Sequence, residues 1–358
     1  MQGKLILKQL YFIEMVFPLF LFAVFGCGDD EGNNQVDLSE IEQTDLTHSD
    51  LLGDAPEDLN QNDPLQEIGT ADSEQDLHEV GIEPTLSTQG EWGPMARVND
   101  LYVPDYPEQS RSKGCLLFGE NVGTGLANLL LLAGGFEPYL KPNSSGEIGY
   151  VLMTEADGWE EGVSLPELNS VTMNLLYGLH GGDELFHIDP FSFESENPDG
   201  ALVSSFEESD VENGWFKTTP TQIKFQLPVL ADFMVVAQLD WTVMTGQLRV
   251  DGPGHGVDNG TLAGYLSRES LTDIGHQIHS TCYSDNPVSV CDLLSGYLTP
   301  EMDDEALLNL LLGFTTGFDV LIVDGIPGDC VEESECNAMG VCLVFEAEGM
   351  VVAGISGE

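Results

Sequence analysis

Four sets of side chains in this sequence have the types and spacings that site chemistry requires. His276, His279, Cys282 and Cys291 form H-x2-H-x2-C-x8-C, nitrogen and sulfur donors of the kind that hold zinc tetrahedrally. Asp251-Gly252 with Asp258-Asn259-Gly260, and Asp324-Gly325 with Asp329 and Glu332, are acidic, glycine-bearing loops. Their carboxylate oxygens suit calcium, although neither follows the D-x-[DN]-x-[DN]-G order. His180-Gly181-Gly182-Asp183-Glu184-Leu185-Phe186-His187 brings together two imidazoles and two carboxylates, from which a base, an acid or a ligand set can be built. Glu207, Glu208, Asp210 and Glu212 offer the paired carboxylates that glycoside hydrolysis uses.

Each set also has a plainer reading. The zinc spacing matches no specific pattern, and thiols of an exported chain pair with each other more often than with metal. Gly181-Gly182 would break the helix on which a Glu-x-x-His pair sits, so this stretch reads as a strand connection. A chain with 62 acidic residues forms carboxylate clusters readily. No G-x-S-x-G turn, H-E-x-x-H pair, C-x-x-C pair or phosphate-binding G-x-x-x-x-G-K-[ST] loop is present. Gly119-x-x-x-Gly123-x-Gly125 contains Glu120 and is followed by no lysine, which argues for a flexible loop rather than a nucleotide site. No catalytic set stands assembled, and calcium is the one cofactor the residues suggest.

The elements that would position these groups lie between Trp92 and Glu358, where aromatic and apolar content rises. Asn121–Phe136 reads as a buried helix stopped by Gly134-Gly135. Short runs follow at Glu147–Thr154, Ser170–Leu179, Leu185–Ile188, Ala201–Phe206, Thr221–Leu227, Phe233–Leu239 and Gly246–Val250. Asp240 and Trp241 continue into Thr242–Met244, which allows one long bent strand. Many short strands separated by Gly, Pro and Asn predict a β-rich α+β domain, an antiparallel β-sandwich or partly open barrel with two or three helices. Leu262-Ala263-Gly264-Tyr265-Leu266-Ser267-Arg268-Glu269 is echoed by Leu294-Ser295-Gly296-Tyr297-Leu298-Thr299-Pro300-Glu301. Each copy reads as a strand ending at a hydroxyl that caps a helix, about Arg268–Thr281 and Pro300–Gly313.

Seven cysteines are present. With Cys27 set aside, Cys115, Cys282, Cys291, Cys330, Cys336 and Cys342 make an even number, which points to disulfides. Cys282 and Cys291 bracket the turn-like Ser284-Asp285-Asn286-Pro287 and are expected to pair. The last three lie close enough for one internal bridge, leaving one cysteine to reach Cys115.

Cys27 has a separate meaning. The chain opens MQGKLILKQLYFIEMVFPLFLFAVFGC, with Lys4 and Lys8 ahead of the eleven-residue apolar run Met15–Phe25. That run suits an export signal and is too short for a bilayer core that needs ~20 residues. Val24-Phe25-Gly26-Cys27 resembles the lipobox of bacterial lipoproteins, in which a small residue precedes the cysteine that becomes the lipidated N-terminus. The resemblance implies removal of residues 1–26, diacylglycerol on the Cys27 sulfur and an acyl chain such as palmitate on its new amino group. Several chains, each stabilised by ~0.8 kcal/mol per buried CH₂, hold a protein on a membrane far better than one. Gly28, rather than an acidic residue, follows Cys27, which in such lipoproteins favours the outer membrane of a Gram-negative bacterium. Beyond the lipobox the chain resembles, in general terms, uncharacterised exported lipoproteins of such bacteria.

Between Gly28 and Glu91 there are nineteen acidic residues and no Lys or Arg. Low hydrophobicity and one-signed charge predict a disordered acidic linker over residues 27–91, roughly 45 Å end to end if neutral and longer with repulsion. Residues 92–358 add 42 acids and 8 bases. A polyanion of this kind excludes nucleic acid as a partner, because such binding needs Lys and Arg clusters. The expectation is therefore a non-enzymatic binding or scaffolding domain at the cell envelope, held by its lipid and facing an unidentified envelope or extracellular ligand. The alternative is an envelope hydrolase using carboxylates or His180 and His187.

Overall fold

The computed structural model describes residues 92–356 except 116, 120–121, 134, 161, 181–184 and 231–232. All of these belong to one compact unit, His78–Glu358. The expected export signal, Cys27 and the acidic stretch through 91 lie outside the described residues. None of the described helices is long and apolar enough to cross a membrane.

The alternating runs produce thirteen strands. They are β1 Met95–Tyr102, β2 Val151–Asp157, β3 Ser170–His180, β4 Phe186–Ile188, β5 Ser205–Glu212, β6 Trp215–Lys217 and β7 Thr221–Leu230. The rest are β8 Phe233–Asp251, β9 Gly254–Ser267, β10 Val320–Val323, β11 Ile326–Asp329, β12 Ala338–Met350 and β13 Val352–Ile355. Among the described residues, six helices accompany them: α1 Pro107–Ser112, α2 Ala127–Ala133, α3 Glu137–Leu140, α4 Arg268–Cys282, α5 Ser289–Leu294 and α6 Asp304–Leu312. The fold is the β-rich, antiparallel α+β class that the sequence predicts. It has more helices than the two or three expected, because α1, α3 and α5 are too short to leave a periodic apolar pattern.

Of the two architectures foreseen, the chain takes the barrel, and its ring is complete. The strands run β1-β2-β3-β5-β6-β8-β9-β12, and β12 then pairs with β1. That last pairing is antiparallel, from Met95↔Met350 to Tyr102↔Val344. Side chains alternate across each strand, so Val98, Leu152, Met173, Phe206, Met244 and Leu343 fall into one buried core. The opposite parity faces outward and is covered in patches. Met95, Met153, Leu176 and Met350 pack with Ile188 of β4 and Val352 of β13.

β8 is the long bent strand anticipated at Phe233–Met244. At Trp241 the backbone turns left-handed, with φ of 48°, and the register with β9 shifts between Asp240 and Val243. An extra residue in one strand flips its faces. Val235, Ala237 and Leu239 are buried before the bulge, and Thr242, Met244 and Leu248 after it. The first half of β8 pairs with β7 as a ribbon beside the barrel.

Two local expectations need correction. In the first near-repeat copy Ser267 ends β9 and caps α4 by accepting from the Ser270 N–H at 3.3 Å. The second copy is not a strand. Leu294 ends α5, and Leu298 closes a turn by donating its N–H to Leu294 O at 2.9 Å. The α6 helix starts later, at Asp304, because Asp303 is the capping residue and accepts from the Ala306 N–H. Leu262–Ser267 is flanked by β8 and β12, whereas Leu294–Leu298 follows a cysteine tied to α4, so similar residues take different shapes.

The described end of the glycine-rich loop, Gly123 to Gly125, is fixed against β12. Gly123 O accepts from the Cys342 N–H at 2.9 Å, and the Gly125 N–H donates to Gly340 O at 3.1 Å. A Cβ on Gly123 would lie 2.6 Å from the Cys342 Cβ, and one on Gly125 would lie 2.6 Å from Gly340 O. These glycines let the loop lie directly on β12. The expected helix after it shortens to Ala127–Ala133, where Gly135 stops it at φ +73° by donating to Leu130 O.

Three disulfides join Cys115–Cys342, Cys282–Cys291 and Cys330–Cys336. The first closes 227 residues and the second 9. Loop-closure entropy then gives about 5 kcal/mol for the first and about 3 kcal/mol for the second. Urea unfolding of Cys115→Ala/Cys342→Ala should therefore show roughly twice the destabilisation of Cys282→Ala/Cys291→Ala. Equal losses would contradict this ranking.

Candidate functional site

The four sets of residues singled out in the sequence do not assemble into the sites they suggest. Cys282 and Cys291 are bonded to each other, so the zinc set loses both thiolates. His276 faces Asp304, Nε2 to Oδ1 at 3.1 Å. His279 turns to the Thr299 carbonyl at 3.0 Å and to the Tyr283 ring. The first calcium candidate is occupied by a guanidinium. Arg249 reaches Asp251 at 2.6 Å through Nη1 and Asp258 at 2.9 Å through Nε. The Gly349 N–H, and after it Arg249, hold the Asp251 carboxyl below the usual carboxylate range. In the second candidate, Asp324 sits in the turn and Asp329 at the far end of β11, opposite Val320. A four-residue strand separates them, about 13 Å at its normal rise, too far for one calcium.

His180 and His187 also part company. Leu179 pairs with His187, and His180 pairs with Phe186. Cross-strand partners share a face and neighbours along a strand do not, so the two imidazoles point to opposite sides of the hairpin. Asp183 and Glu184 lie outside the described residues. Asp210 and Glu212 alternate with buried Ser209 and Val211 on β5 and face solvent. Only Glu207 and Glu208 enter a concave surface, described below.

Two open depressions merit chemistry. The larger, about 980 Å³, runs beside α4 and α6 and contains Asp240, Arg268, Asp273, His276 and Asp304. Several of its groups are engaged. Asp240 accepts from Gln222 at 2.6 Å, and Arg268 lies 5.0 Å from the centre of the Phe318 ring. Both hydroxyls in the groove belong to α4: Ser267 caps it, and Thr272 donates back to Arg268 O.

The second depression, about 500 Å³, is on the outer wall of the barrel where β2, β3 and β5 meet. The register sets it out: Glu155 faces Asn174, Asp157 faces Thr172, and Asn174 faces Ser205. Around them β5 bulges between Phe206 and Ser209, with Glu208 at φ +53°. The bulge brings Glu207 and Glu208 to the rim beside Asp157 and Thr172. Asn174, which lines the depression, is 4% exposed, and Glu155 behind Asn174 is 3% exposed. Glu155 accepts from the Gly93 N–H at 2.7 Å and from Asn174 Nδ2 at 2.9 Å. Burial raises its pKa, and these two hydrogen bonds oppose the rise. Asn174 Oδ1 is buried and has no hydrogen-bond partner. Sequence reasoning missed this pair. The available signal was one acid in the apolar run Val151–Asp157 and one amide in Ser170–His180, both at outward parity.

His255 is the other buried titratable group that matters. Its Nδ1 faces the Pro94 carbonyl at 2.9 Å and its Nε2 faces Thr154 Oγ1 at 3.0 Å. A carbonyl only accepts, so Nδ1 carries the proton and the Thr154 hydroxyl donates to Nε2. Burial lowers its pKa to about 4. Between about pH 6.5 and 4 the unfolded chain takes up a proton that the folded one refuses, so stability falls with pH there, by about 3 kcal/mol in full. Glu155 works the other way, because its raised pKa loses stability as pH rises through the folded value. In unfolding measurements from pH 7 to 4, His255→Gln should remove the histidine's share of the slope. An unchanged slope would contradict this assignment.

Among the described residues, no three His, Cys, Asp or Glu side chains form a metal-binding group. No protein-family model, no characterised protein and no solved structure matches this chain, so its function must be argued from its own residues.

Proposed function

We propose that this is a lipid-anchored protein of the bacterial cell envelope, directed to the outer membrane, whose barrel domain binds or scaffolds rather than catalyses. The observation that carries the proposal is Cys27, placed at the end of an eleven-residue apolar run and followed by a stretch, residues 28–91, with nineteen acidic residues and no Lys or Arg. A short apolar core with a cationic start is an export device, and a cysteine at its end has the position of a lipid acceptor. Three disulfides among six cysteines support an oxidising compartment. The acidic linker would then let the barrel stand clear of the membrane.

The dispersal of the histidines and the engagement of the groove side chains favour binding over hydrolysis. A binding domain needs a rigid, shaped surface, and the closed ring supplies one.

Cys27→Ala tests the anchor. The variant should move from the membrane pellet to the soluble fraction after cell breakage, with the barrel's disulfides unchanged. Continued sedimentation with membranes would refute lipidation at Cys27.

A further inference from the structure

We propose that the outer-wall pocket between β2, β3 and β5 receives a primary ammonium group. This names a ligand chemistry for the binding role proposed above and needs no lipid at Cys27. The first observation is the floor. Asn174 is 96% buried, lines the pocket, and leaves Oδ1 without a donor. An unsatisfied buried acceptor costs about 1–3 kcal/mol, which a ligand N–H would recover. The second is the rim. Asp157, Glu207 and Glu208 stand around the opening, and no Lys, Arg or His lines it. The charged groups of the lining are therefore all anionic and attract positive charge.

Three donor classes can be compared on this geometry. A calcium ion needs six to eight oxygens converging at 2.3–2.6 Å, and the carboxylates here form no such group. A guanidinium pairs best with both oxygens of one carboxylate. The buried carboxylate beside Asn174, Glu155, is already taken, its Oε1 by Gly93 and its Oε2 by Asn174; only the exposed rim could hold one, away from the amide oxygen. What remains is a single amide oxygen below a loose ring of exposed carboxylates. That arrangement fits an ammonium, a compact charge with three rotatable donors. One donor meets Asn174 Oδ1, and the charge is held over a distance by the rim. The strained backbone at Glu208 (φ +53°) is consistent with a bulge kept to aim the rim.

The ammonium can belong to a lysine of a partner chain or to a free polyamine. Calorimetry on the full chain separates them, with N-acetyl-lysine methylamide for the first and spermidine for the second. One or both should bind saturably at one site. Asn174→Leu should weaken that binding at least tenfold. Glu207→Gln/Glu208→Gln, whose side chains are exposed, should weaken it three- to tenfold and flatten its salt dependence. The Nε-acetylated lysine compound should not bind. Saturation by spermidine alone assigns the site to free amines, and saturation by the lysine compound alone assigns it to a partner chain. The proposal is overturned if neither amine saturates, if both variants bind as the parent does, or if calcium binds with the same dependence on Asn174. Because the readout is ligand heat rather than membrane partition, its failure leaves the Cys27 proposal standing.

Discussion

The pairing of β1 with β12 is the constraint on which the rest of the structure depends. It joins the two ends of the domain, Met95 to Met350 and Tyr102 to Val344, and turns an open sheet into a ring. Closure removes the exposed edges that would otherwise template pairing with other chains. β12 also carries β9 on its other side, β10 at its start, the glycine loop along its outer face and the buried Cys115–Cys342 bridge. Losing the β1 contact would open the barrel at the strand with the most dependants.

Closure leaves a ribbon, β7 and the first half of β8, with edges still to satisfy. Side chains supply what strands do not. Tyr177 Oη accepts from the Gln226 N–H at 2.9 Å and donates to Lys224 O at 3.1 Å, and Tyr150 Oη donates to Gln226 O. Ser204 adds a donor to Lys224 O. On the opposite edge, the Gln277 side chain from α4 takes the Val236 N–H and gives an N–H to Val236 O, both at 2.8 Å. One amide thus imitates a neighbouring strand. Burial keeps both tyrosine hydroxyls neutral by pushing their pKa values well up.

Much of the fold was legible because it is locally encoded. The run through Asp240 and Trp241 showed β8 as continuous, and Ser267 announced the start of α4. The turn between Cys282 and Cys291 announced their bridge. What was not legible depends on distant partners. Closure of the ring needs two strands at opposite ends of the domain, and no local pattern reports that. The Leu294–Glu301 echo has the residues of a strand and cap, but the tertiary setting made it a turn. Asp251 and Asp258 resemble calcium ligands until Arg249, two residues before Asp251 on β8, fills the space between them. The outer-wall pocket depends on the β2–β3–β5 register, which sets Glu155 beside Asn174, and neither residue stands out in sequence beyond being polar in an apolar strand.

The functional reading joins two scales. The N-terminal residues argue for attachment and the acidic stretch for reach, while the barrel offers a wall in which Asn174 Oδ1 has no hydrogen-bond partner. Rigidity of that wall is central, because the pocket is made from three strands held in register by ring closure. Hydrogen exchange of the β1 and β12 amides under increasing denaturant tests it most directly. If closure governs the domain, the amides of both strands exchange only through the global opening, with the same free energy and denaturant dependence as β2 and β3. If β1 instead exchanges through a local opening of much lower free energy while β2, β3 and β12 stay protected, the ring is not the governing constraint.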